Sequence, residues 1–305
     1  MTQTLSHFLD DLDAEIRERA EWGNVADHIP ELAEVDPAQF GVAIVLADGQ
    51  LLKAGQAGQT FSIQSISKVF SLACVLGRIG EQLWQRVGRE PSGDEFDSIL
   101  LLEHEKGRPR NPFINAGALV VTDELLGARS PDQAMAEVLT FLRAAAGDEE
   151  IYIDQAVARS EALTSHRNAA LAHYLRSFGN LNAPPDTVLK AYFHQCAIEM
   201  NCVQLAHAGR VFAGIGPDPS LLSREKQRRI NALMMTCGQY DGSGNFAFRV
   251  GIPGKSGVGG GLLMIVPGQA SIAIWTPGLD DSGNPLAGTV AAERLSKFTG
   301  WSVFG

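Results

Sequence analysis

Strand signals stand at the two ends of this 305-residue chain, and helical periodicity fills almost everything between them. Residues 40–47 (Phe-Gly-Val-Ala-Ile-Val-Leu-Ala) read as a strand, Asp48-Gly49 as a hairpin turn, and Leu51 onward as the returning strand. Strand patterns return at Phe246 to Val250, Leu262 to Val266 and Ser271 to Thr276, linked by glycine-rich turns. From Ser65 to about Cys237, apolar residues recur at i, i+3, i+4 over 66–79, 117–127, 131–145, 160–177, 186–200, 203–213 and 223–237. Pro184-Pro185, Pro217 and Pro219 punctuate that run. Strands must pair and bury a face, so two from one end and three from the other are expected to join into one antiparallel sheet. Leu5, Phe8, Leu9, Leu12 and Ile16 mark an amphipathic first helix, and 287–298 a last one; both are placed on one face of the sheet. The expected fold is α/β: an antiparallel sheet with flanking helices, built from 1–64 and 238–305, and an inserted all-helical domain, 65–237. A cleft is expected at the seam.

Ser65 and Lys68 fall on that seam, in Phe61-Ser62-Ile63-Gln64-Ser65-Ile66-Ser67-Lys68, where a strand-like stretch passes into a helix. Residues three apart share a helical face, so Lys68 can sit beneath the Ser65 hydroxyl and take its proton. A serine with its own lysine base serves acyl transfer without a His-Asp relay. Near a helix N-terminus, the backbone N–H of Ser65 is also a candidate oxyanion donor. The spacing alone is weak, because Ser223 and Lys226 repeat it. An N-capping serine and a solvated lysine would satisfy it equally.

Composition narrows the partners. A formal net charge of −10 argues against nucleic acid and anionic membranes. No apolar run reaches a membrane span, and the acidic N-terminus (Asp10, Asp11, Asp13, Glu15) is unlike a signal peptide. Cys74, Cys196, Cys202 and Cys237 form no Cys-x-x-Cys pair, and they read as buried thiols in a reducing cytoplasm. The seven histidines show no metal spacing.

Other segments carry potential chemistry. Lys255-Ser256-Gly257, then Val258-Gly259-Gly260-Gly261, sets a basic residue and small residues where a backbone can approach a substrate. A second lysine beside Lys68 would lower its pKa by like-charge repulsion. Tyr240, in Tyr240-Asp241-Gly242, can relay a proton at a cleft or merely cap a helix. Asn115 can cap the next helix or offer its amide to a substrate. Glu161 and Asn168, seven apart, are expected on one helical face, where a carboxylate and an amide could hold an ammonium and a carboxylate. Tyr192 reads as core in most such contexts.

Together these segments resemble the serine-dependent glutaminase family of bacteria and animal mitochondria. The matching pieces are Val25-Ala26-Asp27-His28-Ile29-Pro30, Gln64 to Lys68, Asn111 to Ala118, Ser160-Glu161 through Arg167-Asn168, Tyr192 to Cys196, Tyr240-Asp241, and Lys255 to Gly261. They span nearly the whole chain in family order. The resemblance implies a fold like that of serine β-lactamases and penicillin-binding proteins. It implies hydrolysis of L-glutamine to L-glutamate and ammonia, with no cofactor or metal, by a homo-oligomer (dimer or tetramer). Ser65 becomes the nucleophile, Lys68 its base and Tyr240 an assistant in proton transfer. The N–H groups of Ser65 and Val258 become the oxyanion hole. Gln64, Asn115, Glu161, Asn168, Tyr192 and Tyr240 become the substrate holders, with Lys255 close by. One departure is His28, where many members carry a pocket tyrosine; histidine is shorter and titrates near neutrality. It is expected to weaken glutamine binding or make it pH-dependent. A β-lactam hydrolase is the rival enzyme, but no Ser-Asp-Asn tripeptide occurs. A silent amino-acid sensor is the rival binding protein, but it would need no nucleophile.

Overall fold

The computed structural model describes residues 2–19, 21–93 and 95–305. Its strands, in chain order, are β1 (Gly41–Leu46), β2 (Leu51–Gly55), β3 (Phe61–Ser62), β4 (Tyr152–Ile153), β5 (Ile198–Met200), β6 (Gly254–Ser256), β7 (Gly261–Val266) and β8 (Ala270–Trp275). Five of them form an antiparallel sheet in the order β2-β1-β8-β7-β6, so two N-terminal and three C-terminal strands do join. The register sets Gly41 opposite both Gly55 and Trp275, and Gly261 opposite Trp275.

Alternation along these strands decides which layer each side chain joins. Val42, Ile44, Leu262, Met264, Ile272 and Ile274 point to one face. There they meet Leu5, Leu9, Leu12 and Ile16 of helix Thr2–Arg17, and Ala287, Ala291 and Leu295 of helix Leu286–Thr299. Ala43, Val45, Leu263, Ile265, Ala273 and Trp275 point the other way, into a core continuous with the helical middle. At its centre is helix Ser67–Ile79, buried from Ser67 through Leu76. A helix apolar all round belongs inside a helical layer.

Four local expectations need correction. Phe246 to Val250 is not a strand; helix Ser243–Arg249 runs there. Phe246 and Val250 are buried at i, i+4, while Phe248 is 92% exposed, so the apparent alternation was a helical face. The sheet takes β6 instead. The segment 160–177 is two helices, Gln155–Thr164 and His166–Ser177, meeting at Ser165. The helix starting near 186 stops at Cys196, and β5 follows. β5 lies between β3 and β4 in a second sheet, in the middle of the chain where no strand was expected. These pieces are too short to show a period of two.

The small sheet positions Ser65. Ser62 Oγ donates to Cys196 O at 2.9 Å and Ile63 N to Ile198 O at 2.9 Å. The chain then turns sharply at Gln64 and enters helix Ser67–Ile79 through a 3-10 turn, Gln64–Ile66.

Candidate active site

Non-glycine residues rarely take positive φ. Three described residues do so, and two flank the serine: Gln64 (φ 47°), directly before Ser65, and Tyr240 (φ 50°). Ser65 therefore sits at the apex of a forced turn rather than in a relaxed cap. Neither Ser65 nor Ser67 caps the helix with its side chain. Ser67 Oγ instead donates to Gln64 O at 2.6 Å, tightening the turn.

Lys68 is 2% exposed, far from a solvated surface lysine. Its Nζ donates to Asn115 Oδ1 at 2.7 Å and to Phe113 O at 3.1 Å. Burial pushes its pKa down to about 8, against the opposing pull of Cys196, Glu161 and Asp97. Lys255 plays another part than expected. It is fully buried, donates to Ser256 O at 2.6 Å, and lies 4.4 Å from the Tyr240 ring centroid. Its own pKa falls well below the lysine range, first through burial and then through Lys68. Burial, not Lys255, thus makes Lys68 basic at moderate pH.

Tyr240 lies in a 3-10 turn after helix Arg224–Cys237. Its hydroxyl is buried beside those of Ser65 and Ser256, with no hydrogen bond of standard geometry closed. Burial raises its pKa to about 12; the Ser65 and Ser256 hydroxyls offset this only in part. The Phe96 ring packs against it, centroids 4.7 Å apart.

Asn115 is not a cap but a hub. It is the first residue of helix Asn115–Leu126, whose cap position is Ile114. Its Oδ1 accepts from Lys68 and, at 3.2 Å, from Tyr192 Oη; its Nδ2 donates to Asn168 Oδ1 at 2.9 Å. Asn111 Oδ1 shapes the preceding turn by accepting from the N–H groups of Phe113 and Ile114. Gly117 lets that turn close, since a Cβ there would stand 1.9 Å from Asn111 O.

A cavity of about 370 Å³ opens in front of Ser65. Of the expected residues, His28, Gln64, Ser65, Asn115, Glu161, Asn168, Tyr192 and Val258 line it. Lys68, Tyr240 and Lys255 stand behind that wall. Glu161 and Asn168 do converge, but from two helices rather than one face. The break at Ser165 lets Ser165 Oγ donate to Glu161 Oε2 at 2.7 Å. Burial raises the Glu161 pKa, while Ser165, His28, Gln64 and Lys68 oppose the shift.

Sequence reasoning missed Phe96, Asp97 and Arg167 at the mouth. Arg167 Nη1 donates to Asp97 Oδ1 at 2.9 Å and to Glu95 Oε2 at 3.4 Å. Arg167 lay inside a quoted motif and could have been found; Phe96 and Asp97 carry no periodic signal. The glycine segment does approach closely, but what it approaches is the turn holding Ser65. A Cβ on Gly257 would lie 2.5 Å from Ile63 O and 3.3 Å from Ser65 N; one on Gly259 would lie 2.2 Å from Ser62 O. The decoy resolves differently: Ser223 Oγ caps helix Arg224–Cys237 by accepting from Lys226 N.

A serine on a strained turn, backed by a dehydrated lysine and facing a polar cavity, defines a serine hydrolase of the Ser-Lys type. The Glutaminase family model matches residues 23–304. A glutaminase of Rhodopseudomonas palustris (strain ATCC BAA-98 / CGA009) is 57% identical over 307 residues, covering 99% of each chain. A thermolabile glutaminase of Rhizobium etli (strain ATCC 51251 / DSM 11541 / JCM 21823 / NBRC 15573 / CFN 42) is 57% identical over 301 residues, 97% of each. The solved structure of a probable glutaminase, YbaS, superposes with a TM-score of 0.94 at 35% identity, covering 100% of this chain and 99% of that one. The chain belongs to the glutaminase family, amidohydrolases of L-glutamine that work through a serine acyl-enzyme on a β-lactamase-like fold.

Proposed function

We propose that this chain hydrolyses L-glutamine to L-glutamate and ammonia, with Ser65 as nucleophile and Lys68 as its base. The observation that carries the reading is the shared cavity: Ser65 meets Gln64, Asn115, Glu161, Asn168 and Tyr192 there, with Lys68 hydrogen-bonded to one of its walls. Free glutamine is a zwitterion with a neutral amide. Glu161 takes its ammonium, while Asn115, Asn168, Gln64 and Tyr192 supply amides and a hydroxyl to its carboxylate end. The side-chain carbonyl then lies over Ser65.

Neutral Lys68 accepts the Ser65 proton as Oγ attacks. The oxyanion falls between the backbone N–H groups of Ser65 and Val258, which the glycine segment brings close. Each such donor lowers the barrier by roughly 3–4 kcal/mol. Tyr240, whose hydroxyl neighbours Ser65, passes a proton to the leaving nitrogen. Ammonia departs, and water cleaves the acyl-enzyme with the same groups in reverse roles. The reacting parts come from both halves of the expected division: Val258, Tyr240 and Lys255 from the sheet unit (1–64 and 238–305), and Lys68, Asn115, Glu161, Asn168 and Tyr192 from the helical unit (65–237). Four free, buried cysteines support a cytoplasmic setting, and among the described residues no helix is long and apolar enough to cross a membrane.

The test is release of ammonia and glutamate from L-glutamine, beside a Ser65→Ala variant. Stoichiometric products, lost in the variant, are expected. No release by the folded protein between pH 6 and 10 would overturn the assignment.

A further inference from the structure

The N–H of Val258 can serve an oxyanion only if the glycine turn that carries it is held in one orientation. Within that turn, Gly260 N donates to Gly257 O at 2.9 Å. At its edges, Gly257 N donates to Gly261 O and Thr276 N to Gly260 O, each at 2.9 Å. Gly260 takes φ +88°, a conformation that side chains disfavour. Among the described residues no hydrogen bond engages the N–H groups of Val258 and Gly259, and Val258 lines the cavity in front of Ser65. A backbone donor needs an acceptor, and a developing oxyanion supplies one.

Behind the turn stands Trp275, the last residue of β8. Its indole Nε1 donates to Gly259 O at 3.0 Å. The indole is buried and stacks on Phe61, with centroids 5.3 Å apart and planes 7° from parallel. Its neighbour across β7 is Gly261. A Cβ there would lie 2.6 Å from the Phe61 ring and 2.8 Å from Ile66 Cδ1, so β7 omits a side chain where the stack and the residue after Ser65 pack. These contacts join end to end. In a trans peptide the C=O and N–H point in opposite directions. The Gly259–Gly260 unit accepts the Trp275 N–H at its oxygen and gives its own N–H to Gly257 O. The Gly257–Val258 unit accepts that bond at its oxygen, so the Val258 N–H points away from the turn's interior. Gly257 packs on the serine turn, since a Cβ there would lie 3.3 Å from Ser65 N. Each bond in the run fixes the next peptide plane, and bonded chains polarise one another.

We propose that Trp275 is a positioning residue for the oxyanion hole: its indole N–H, acting through two peptide planes, orients and strengthens the Val258 donor. The proposal rests on the glutaminase reading and adds to it a residue that does not line the catalytic cavity. A buried tryptophan needs some acceptor for its N–H. Here the acceptor belongs to the turn that carries the catalytic donor, and the ring it leaves free stacks on the strand that leads into Ser65.

The experiment replaces Trp275 in the full-length protein with 3-benzothienylalanine, which keeps the fused rings and puts sulfur where the N–H was. Trp275→Phe is the second variant; it keeps a ring for Phe61 and also lacks the donor. Ammonia release from L-glutamine is measured beside the binding of two probes. One is L-glutamate, whose side-chain carboxylate stays planar. The other is 2-amino-4-boronobutanoate, whose boron becomes tetrahedral when the Ser65 hydroxyl adds to it and so sets an oxygen in the oxyanion hole. Losing an oxyanion donor costs about 10²- to 10³-fold in kcat; here the donor remains but loses its alignment, so kcat should fall roughly tenfold. Boronate affinity should fall by a similar factor, while KM and glutamate affinity stay nearly unchanged. An unaltered kcat in the isosteric variant would overturn the proposal. So would an unaltered boronate affinity, or equal losses for boronate and glutamate, which mark general damage to the cavity. Ammonia release by the unaltered protein, run in parallel, tests the glutaminase reading separately.

Discussion

Replacing Asn115 with aspartate tests whether Lys68 is the titrating base. At pH 7 an amine of pKa about 8 is neutral in roughly one molecule in ten; an ordinary lysine at 10.5 is neutral in roughly one in 3,000. Burial thus increases the reactive form about 300-fold. A carboxylate in place of the amide puts a negative charge at the atom now 2.7 Å from Lys68 Nζ. An opposite charge at such range raises a lysine pKa by about 1–3 units. The acidic limb of kcat/KM should move from about 8 to about 9–11, and the rate at pH 7 should fall roughly 10- to 1,000-fold. Above that limb, activity should return towards a plateau. Asn115→Ala is the control: it loses contacts to Tyr192 and Asn168, so KM rises, but its limb stays at or below 8. The assay is ammonia release at low glutamine from pH 6 to 11. A limb unmoved in Asn115→Asp, with the rate lowered equally at every pH, would refute Lys68 as the base.

Three further outcomes follow from particular contacts. Gly257→Ala adds a Cβ 2.5 Å from Ile63 O and 3.3 Å from Ser65 N, which displaces the oxyanion donors; kcat should fall about 10²- to 10³-fold with KM little altered, and an unchanged kcat would dismiss this role for the segment. Glu199 has its carboxyl pushed up to about 7 by burial, with Asp154 adding to it. Its folded pKa lies above the unfolded 4.5, so its contribution to stability is present below pH 4.5 and lost as pH rises through 7. Glu199→Gln should therefore raise Tm at pH 8 and leave it nearly unchanged at pH 4.5; a loss at both would contradict the sign. His28→Tyr, at the cavity wall, should lower KM for glutamine, and an identical KM would take His28 out of substrate binding.

Legibility followed burial. Four strands of the five-stranded sheet were readable as apolar runs whose residues divide between two cores, and Asp48-Gly49 announced the first hairpin; β6, three residues long, was not, and a helical face at Phe246 to Val250 was read in its place. The terminal helices were readable because each shows one apolar stripe. β3, β4 and β5 were not, since two or three residues cannot express a period and tertiary contacts alone hold them extended. The break at Ser165 was hidden because helical spacing continues through it. At the site, residue types offered Ser65, Lys68, Lys255, Tyr240, Asn115, Glu161 and Asn168 as candidates, whereas Gln64, Tyr192 and His28 came with the resemblance to known glutaminases, which grouped them all. Asn115 as a hydrogen-bond hub was not legible, because its partners are 47, 53 and 77 residues away. Phe96 and Asp97 owe their place to a loop, where no pattern constrains the path.

The two Ser-x-x-Lys tetrads show what spacing leaves undecided and what decides it. Around Ser65 and Lys68 stand Ile63, Ile66, Val69, Phe70 and Leu72, all fully buried. Around Ser223 and Lys226 stand Arg224, Glu225, Gln227, Arg228 and Arg229. The first helix is apolar on every side, so it enters the core and carries its lysine out of water; desolvation then does what no neighbouring charge does here. The second keeps one face in solvent. Its serine spends its hydroxyl on the Lys226 N–H, and the lysine contributes backbone rather than amine. The apolar residues interleaved with a Ser-x-x-Lys tetrad therefore report on its chemistry. They set the burial, burial sets the pKa, and the pKa separates a base from a cation.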